Sequence, residues 1–294
     1  MTADGRFAPS PTGDLHLGNL RTALLAWLFA RSAGARFLLR MEDLDAARVR
    51  PGSAEQQLAD LAAIGLDWDG EVEFQSRRMD RYEAAIEALR AVGRVYECFC
   101  TRAEIRAAAS APHGPLPEGA YPGTCLRLAP AELEARRSSG RPPALRVRAE
   151  AERVAFEDRL LGEVSGVVDD FVLRRNDGAP AYNLAVVVDD AEQGIGEVVR
   201  GADLVDSTPR QLFLARLLGL PAPRYAHVPL VLGPDGARLA KRHGAVTLRE
   251  VPAAAARAWM AGSLGLPELP PDELAGAFDP ATVPREPTYW GQTP

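Results

Sequence analysis

The chain has 294 residues, 47% hydrophobic and 25% charged, with 34 basic against 40 acidic side chains and a formal net charge of −6. That profile allows one large or two ordinary globular domains and argues against a protein that coats nucleic acid through bulk charge. No uncharged apolar run of about 18 residues exists, and the start MTADGRFAPSPTG lacks the charged-then-apolar pattern of an export signal, so a cytoplasmic location is expected.

In chain order, GRFAP reads as a short strand, followed by the loop SPTGDLHLG and a helix over NLRTALLAWLFARSAG that stops at Gly34. RFLLRMED is a second strand, GSAEQQLADLAAIGL a helix opening near Ser53, RRMDRYEAAIEALRAVG a helix ending at Gly93, and RVYECFC a third strand. This β-α-β-α alternation over residues 1–100 predicts a parallel sheet with helices on its faces. It breaks over residues 101–180, where a Pro/Gly-rich stretch, a short helix and short strands such as ALRVRAE and FVLRR predict an inserted α+β subdomain. The alternation resumes over residues 181–245 with AYNLAVVVDD, GEVVRGADL, the helix TPRQLFLARLLG and the strand YAHVPLVLG, then the loop RLAKRHGA. Residues 246–294 read as an Ala-rich helix, a Pro-rich linker and a tail, a short helical extension.

Three places carry chemistry. The loop APSPTGDLHLGNL lies between the first strand and first helix, where ligands bind in open α/β sheets. His16 and Asn19 fall at the helix N-terminus, whose free N–H groups favour an anion, and Gly13 and Gly18 permit close approach to the backbone. An ordinary turn that caps the helix explains the same residues. Arg6 and Arg200 are both placed at strand ends facing one crevice, where structural salt bridges are the plain alternative to ligand binding. Cys98 and Cys100 in ECFC, with Cys125 in YPGTC, offer three thiols for a tetrahedral zinc site. On residue type alone His113 is the natural fourth ligand, and three buried free thiols are the alternative. The loop lysine, Lys241, is the only lysine among the 34 basic residues.

Together these stretches resemble a known family. SPTGDLHLGN is similar to the first signature of class I aminoacyl-tRNA synthetases, and RLAKR to a degenerate form of their second, with Lys241 at its second lysine. RFAPSPTGDLHLGN, LRMEDLD, AYNLAVVVDD and VVRGADLVDSTPRQ resemble the glutamyl-tRNA synthetase catalytic domain, collinearly over about residues 5–250. HLGN lacks the final histidine of the signature, and RLAKR keeps one lysine where stronger versions have two.

The resemblance implies a Rossmann-like sheet that places ATP, with Mg²⁺, between the two signatures. His16 and Lys241 are then the catalytic residues, and Pro9, His16, Gly18, Asn19 and Lys241 contact ATP. It implies that Arg6, Ala8, Ser10, Glu42, Tyr182 and Arg200 bind L-glutamate, with Glu42 on the α-amino group, and Asn183 stands as a neighbour. It names Tyr121 as fourth ligand of one structural Zn²⁺ beside Cys98, Cys100 and Cys125.

Only 49 residues follow Ala245, too few for the anticodon-binding domain of standard glutamyl-tRNA synthetases. The likeness is therefore to their stand-alone catalytic-domain paralogues. Those activate glutamate without tRNA and transfer it to queuosine at the wobble base of tRNA(Asp), which implies an anticodon stem-loop as partner and a monomer. Arg77, Arg78 and Arg81 are candidate RNA contacts, against the plainer reading of a solvated helix face. The alternatives are a shortened glutamyl-tRNA synthetase charging a tRNA 3′ end, a small-acid nucleotidyltransferase of the same fold, and an inactive binding module.

Overall fold

The computed structural model describes residues 3–109, 120–244 and 246–291, without the side chains of 106–109 and Lys241. β1 (Gly5–Phe7) leads into α1 (Leu17–Ser32), β2 (Phe37–Met41), α2 (Ser53–Ala63), the two-residue β3 (Glu73–Phe74) and α3 (Met79–Ala91). β1, β2 and β3 pair in parallel, with Arg6 opposite Leu38 and Arg40 opposite Glu73. The third strand of this sheet is β3, and not the RVYECFC stretch that the alternation suggested. β4 (Val95–Cys98) instead pairs antiparallel with β5 (Ala144–Val147). α4 (Arg102–Ala109) and α5 (Pro130–Ser138) precede β5 in the insert.

A hairpin of β6 (Arg153–Asp158) and β7 (Gly162–Val167) follows, then β8 (Val172–Arg174), which completes the β4-β5-β8 sheet. AYNLAVVVDD folds as α6 (Tyr182–Glu192), then β9 (Glu197–Gly201), α7 (Thr208–Leu218), β10 (Arg224–Val228) and β11 (Val231–Leu232). β9 and β10 are parallel, and β10 also pairs in parallel with β6 through Tyr225 and Asp158. The hairpin therefore extends the sheet of β9 and β10, in the order β7-β6-β10-β9.

The two half-sheets meet at a single parallel bridge between Asp4 and Ile195, with the N–H of Gly196 donating to Asp4 O at 3.0 Å. Beyond that bridge β1 and β9 are not paired. The combined order β3-β2-β1-β9-β10 reverses direction between β1 and β9, which makes a topological switch point, where the carboxyl ends of the strands open a crevice.

Helix α1 is apolar nearly all round, because it is covered on both sides. The sheet lies on one face. On the other lie α8 (Ala253–Ser263), α9 (Pro271–Ala277) and the chain beyond, contributing Met260, Leu274 and Phe278 to the same core. Phe278 packs on Phe29 at 5.4 Å between ring centroids, and each such burial stabilises by about 1.5–3 kcal/mol. The tail is not purely helical: β12 (Thr288–Tyr289) pairs in parallel with β11. Fully buried Arg21 of α1 donates to Ser263 Oγ, Pro229 O and Thr288 Oγ1, tying the tail to α1 and to the end of β10. Among the described residues no helix is long and apolar enough to cross a membrane.

Candidate active site and thiol cluster

Buried parallel strands are ordinarily continuous apolar runs, so a polar residue inside one is the exception to explain. Four adjacent strands carry such residues: Arg6 on β1, Arg40 on β2, Glu197 and Arg200 on β9 and His227 on β10, all at most 5% exposed. Around Arg6 and Arg200 lies a cleft of about 670 Å³ at the switch point. Pro9, His16, Gly18 and Asn19 line it, as do Ala8, Ser10, Glu42 and Tyr182. Every glutamate-site residue expected from the sequence, and every expected ATP-site residue whose side chain is described, thus lines one cavity.

His16 is the N-cap of α1, its Nδ1 accepting from the N–H of Asn19 at 3.2 Å. Gly18 sits beneath the ring: a Cβ there would stand 3.0 Å from His16 Nδ1. The segment after the lysine loop is fixed to the same helix start, because Leu17 N–H donates to Val246 O at 2.8 Å and His16 bridges Thr247. Lys241 begins a short 3₁₀ turn, Lys241–His243, whose His243 Nδ1 accepts from Ala240 N–H.

The arginines differ in their partners. Arg6 is ion-paired with Asp190 at 3.3 Å, and Arg40 binds the same oxygen at 2.8 Å. Arg200 makes no ion pair among the described residues. It donates to the Tyr182 hydroxyl at 3.2 Å, Gln211 Oε1 at 2.8 Å, Thr208 Oγ1 at 2.8 Å and His227 Nε2 at 3.1 Å, all neutral acceptors. The salt-bridge alternative thus describes Arg6 and fails for Arg200. Asn183 stands one step behind, accepting from Gln211 Nε2 at 3.0 Å.

Two neighbouring carboxylates are driven apart by these contacts. Burial alone would raise Asp190, but the charges of Arg6 and Arg40 hold it below the usual carboxylate range. Glu42 lies 3.8 Å from Arg40, and burial, opposed by Arg40 and Arg6, pushes it up to about 7. Glu42 is thus the carboxylate whose ionisation a cationic ligand would favour. Arg40, Asp189 and Asp190 were not singled out in the sequence, although LRMED and VVVDD contain them. Their signal is a charged residue inside an apolar strand and a carboxylate pair ending an apolar helix. Asp189 receives the Arg78 Nε–H at 2.7 Å and the Tyr82 hydroxyl, so Arg78 is held by ion pairs within the protein. Arg77 lies over the Phe74 ring, and Arg81 stays exposed near Asp80.

Cys98 from β4, Cys100 just beyond it and Cys125 from the turn after Gly123 bring their sulfurs within 4.8 Å of one another. The Tyr121 hydroxyl lies 3.4 Å from Cys98 Sγ and 3.5 Å from Cys100 Sγ, and Cys100 and Cys125 sulfurs are 3.4 Å apart. Ligands on Zn²⁺ at about 2.3 Å would be separated by about 3.8 Å along each tetrahedral edge, so these four donors fit such an ion after slight expansion. The hydrogen bond between Cys98 and Cys125 draws the Cys98 thiol down against the effect of burial and pushes the Cys125 thiol up, so one proton is shared unequally between two sulfurs. His113 lies outside the described residues.

Residues 3–255 match the family model for class I (E and Q) tRNA synthetases, catalytic domain. The chain belongs to that family. It is therefore a synthetase-type ligase with the class I catalytic fold. Curated relatives include the glutamyl-Q tRNA(Asp) synthetase of Nocardia farcinica, 65% identical with 96% of this chain and 91% of that protein covered. That of Symbiobacterium thermophilum is 53% identical, covering 96% and 94%. Among solved structures, a glutamate tRNA ligase from Elizabethkingia meningosepticum in complex with its amino acid superposes with a TM-score of 0.84. It is 30% identical, with 99% of this chain and 67% of that one covered.

Proposed function

We propose that this synthetase activates L-glutamate with ATP, without needing tRNA, and transfers it to queuosine at the wobble position of tRNA(Asp). The observation that carries the amino-acid reading is Arg200: a buried cation held only by neutral acceptors, facing the cleft. Such a group is costly until an anion meets it, and a planar fork suits a carboxylate. The queuosine step rests on the relatives named glutamyl-Q tRNA(Asp) synthetase.

Arg200 and the Tyr182 hydroxyl receive the side-chain carboxylate, with Arg6 beside them and Ala8 and Ser10 as walls. Ionised Glu42 takes the α-ammonium group. The substrate's α-carboxylate oxygen then bonds to the α-phosphorus of ATP as the bond to the β-phosphate oxygen breaks, giving glutamyl-adenylate and pyrophosphate. Positioning and neutralisation of phosphate oxygens supply most of the acceleration. The helix N-terminus carrying His16 and Asn19, with Pro9 and Gly18, cradles the phosphates, and Lys241 follows the leaving pyrophosphate as a point charge. Mg²⁺ bound with ATP would add charge neutralisation at the same oxygens. A nucleophile on queuosine next attacks the activated carbonyl carbon and AMP leaves. Cys98, Cys100, Tyr121 and Cys125 would hold one structural Zn²⁺, which would cross-link the segments that carry them.

Labelled glutamate, ATP and enzyme are incubated with tRNA from strains with and without queuosine. Label appears only on queuosine-containing tRNA(Asp), at the anticodon stem-loop. Label on queuosine-free tRNA, at the 3′ end, would overturn this reading in favour of a glutamyl-tRNA synthetase.

A further inference from the structure

Arg200 and His227 are direct cross-strand partners on β9 and β10, so their side chains rise from the same face of the sheet. Nε–H of Arg200 donates to His227 Nε2 at 3.1 Å. Arginine has no acceptor atom and keeps its protons, so that contact requires a bare Nε2. A second contact agrees: Thr208 Oγ1 accepts from Arg200 NH2 at 2.8 Å and lies 3.2 Å from the same Nε2, to which its own hydrogen is free to point. At the other side of the ring, Nδ1 is 2.6 Å from Asp158 Oδ2. Asp158 is fully buried and comes from β6, the strand that the insert returns to the catalytic sheet. Its Oδ1 is fixed by the N–H groups of Leu160 and Leu161, both at 3.0 Å.

We infer that Asp158 and His227 form a positioning relay for Arg200. The Asp158 carboxylate selects the Nδ1–H tautomer of His227, and the bare Nε2 orients the guanidinium while leaving its charge to the substrate. The inference rests on the reading of Arg200 as the receptor of the glutamate side chain. A carboxylate in direct contact with Arg200 would orient it equally well but would neutralise it, as Asp190 does for Arg6. Interposing an imidazole keeps the orientation and weakens the competing attraction in proportion to distance. Burial and the charges of Arg200 and Arg6 keep His227 from protonating, against the pull of Asp158. Stacking of the His227 ring on Tyr225, 5.9 Å apart and 5° from parallel, holds its plane.

Asp158→Asn tests the relay without dismantling the turn. The asparagine Oδ1 keeps the hydrogen bonds from the N–H groups of Leu160, Leu161 and His227, whereas its amide, in the place of Oδ2, gives up the second contact with His227 N–H at 3.2 Å, donates to Nδ1 and forces a proton onto Nε2, opposing Arg200. The chain has four histidines, so long-range ¹H–¹⁵N spectra of ¹⁵N-histidine protein resolve each tautomer. The wild type shows His227 neutral and protonated on Nδ1 above about pH 7, and Asp158→Asn inverts the tautomer. In glutamate-dependent pyrophosphate exchange the variant raises KM for glutamate at least about tenfold, with KM for ATP and kcat within about twofold. His227→Gln, which retains an acceptor, keeps more glutamate affinity than His227→Phe, which retains only the ring. A wild-type His227 protonated on Nε2, or an inverted tautomer with unchanged KM, overturns the relay. A wild-type enzyme that shows the expected tautomer yet exchanges no pyrophosphate with glutamate overturns the glutamate reading instead.

Discussion

Gly18 lies directly under His16, so closely that a β-carbon would meet Nδ1 at 3.0 Å and Cε1 at 3.1 Å. The imidazole caps α1 from that position, and a methyl group there pushes it aside. Gly18→Ala is expected to slow pyrophosphate exchange by about tenfold or more, near 1.4 kcal/mol in the barrier. Its melting curve stays within about 1 kcal/mol of wild type. Undiminished exchange would show that the ring has room to spare.

Arg200→Ala removes the cation and strands the acceptors that surrounded it. A loss of about 2–5 kcal/mol in kcat/KM for glutamate follows, measured by exchange at varied glutamate and saturating ATP. Retention of full exchange would take Arg200 out of the amino-acid site.

Lys241→Arg preserves charge and changes shape. A compact ammonium can track moving phosphates, whereas a planar guanidinium needs fixed, forked partners. The activation rate is expected to fall steeply while glutamate affinity, read by equilibrium titration, changes little. A fully active variant would make the single lysine a coincidence of composition.

Glu42 titrates near pH 7 because it is buried. In the proposed role its ionised form holds the ammonium group, so KM for glutamate is expected to rise as pH falls through about 7, and Glu42→Gln to abolish that dependence while binding weakly throughout. Stability moves the other way. A carboxyl raised in the folded state binds more protons folded than unfolded, so the ligand-free protein loses stability as pH rises from about 4.5 to 7. The full cost, on the order of 3 kcal/mol, is reached above that window. Denaturant titrations of wild type and Glu42→Gln across this range check the sign.

Metal content tests the thiol cluster independently of turnover. Purified protein is expected to carry one zinc per chain. Cys125→Ser loses it, Tyr121→Phe holds it more weakly, and His113→Ala retains it. A His113→Ala protein without zinc would transfer the fourth position to that histidine.

The legible parts of this molecule were local. The loop from Pro9 to Asn19 announced itself because glycine, proline and a capping histidine act on their immediate neighbours, and the helices followed from apolar spacing. What escaped was long-range or short. Glu73–Phe74 is a two-residue strand with no period to detect. Val95–Cys98 has the composition of any strand, and its antiparallel partner lies beyond the insert's helices. The bond of Arg40 to Asp190 spans 150 residues, so only the anomaly of an arginine within FLLRM hinted at it. The neutral shell around Arg200 follows from which strands become neighbours, and no single stretch of chain encodes it.

Asp190 ends the crossover helix between the half-sheets and grips Arg6 and Arg40 on the strands of one half, close to where a single bridge joins it to the other. On the proposed reading of Arg6, recognition and rigidity are therefore drawn from the same ion pair. Retuning the pocket for a different amino acid by swapping one charge would also slacken the frame that sets its width. Laboratory evolution of new selectivity in this scaffold should accordingly proceed through compensated pairs of substitutions, with the frame repaired in the same step as the pocket is altered.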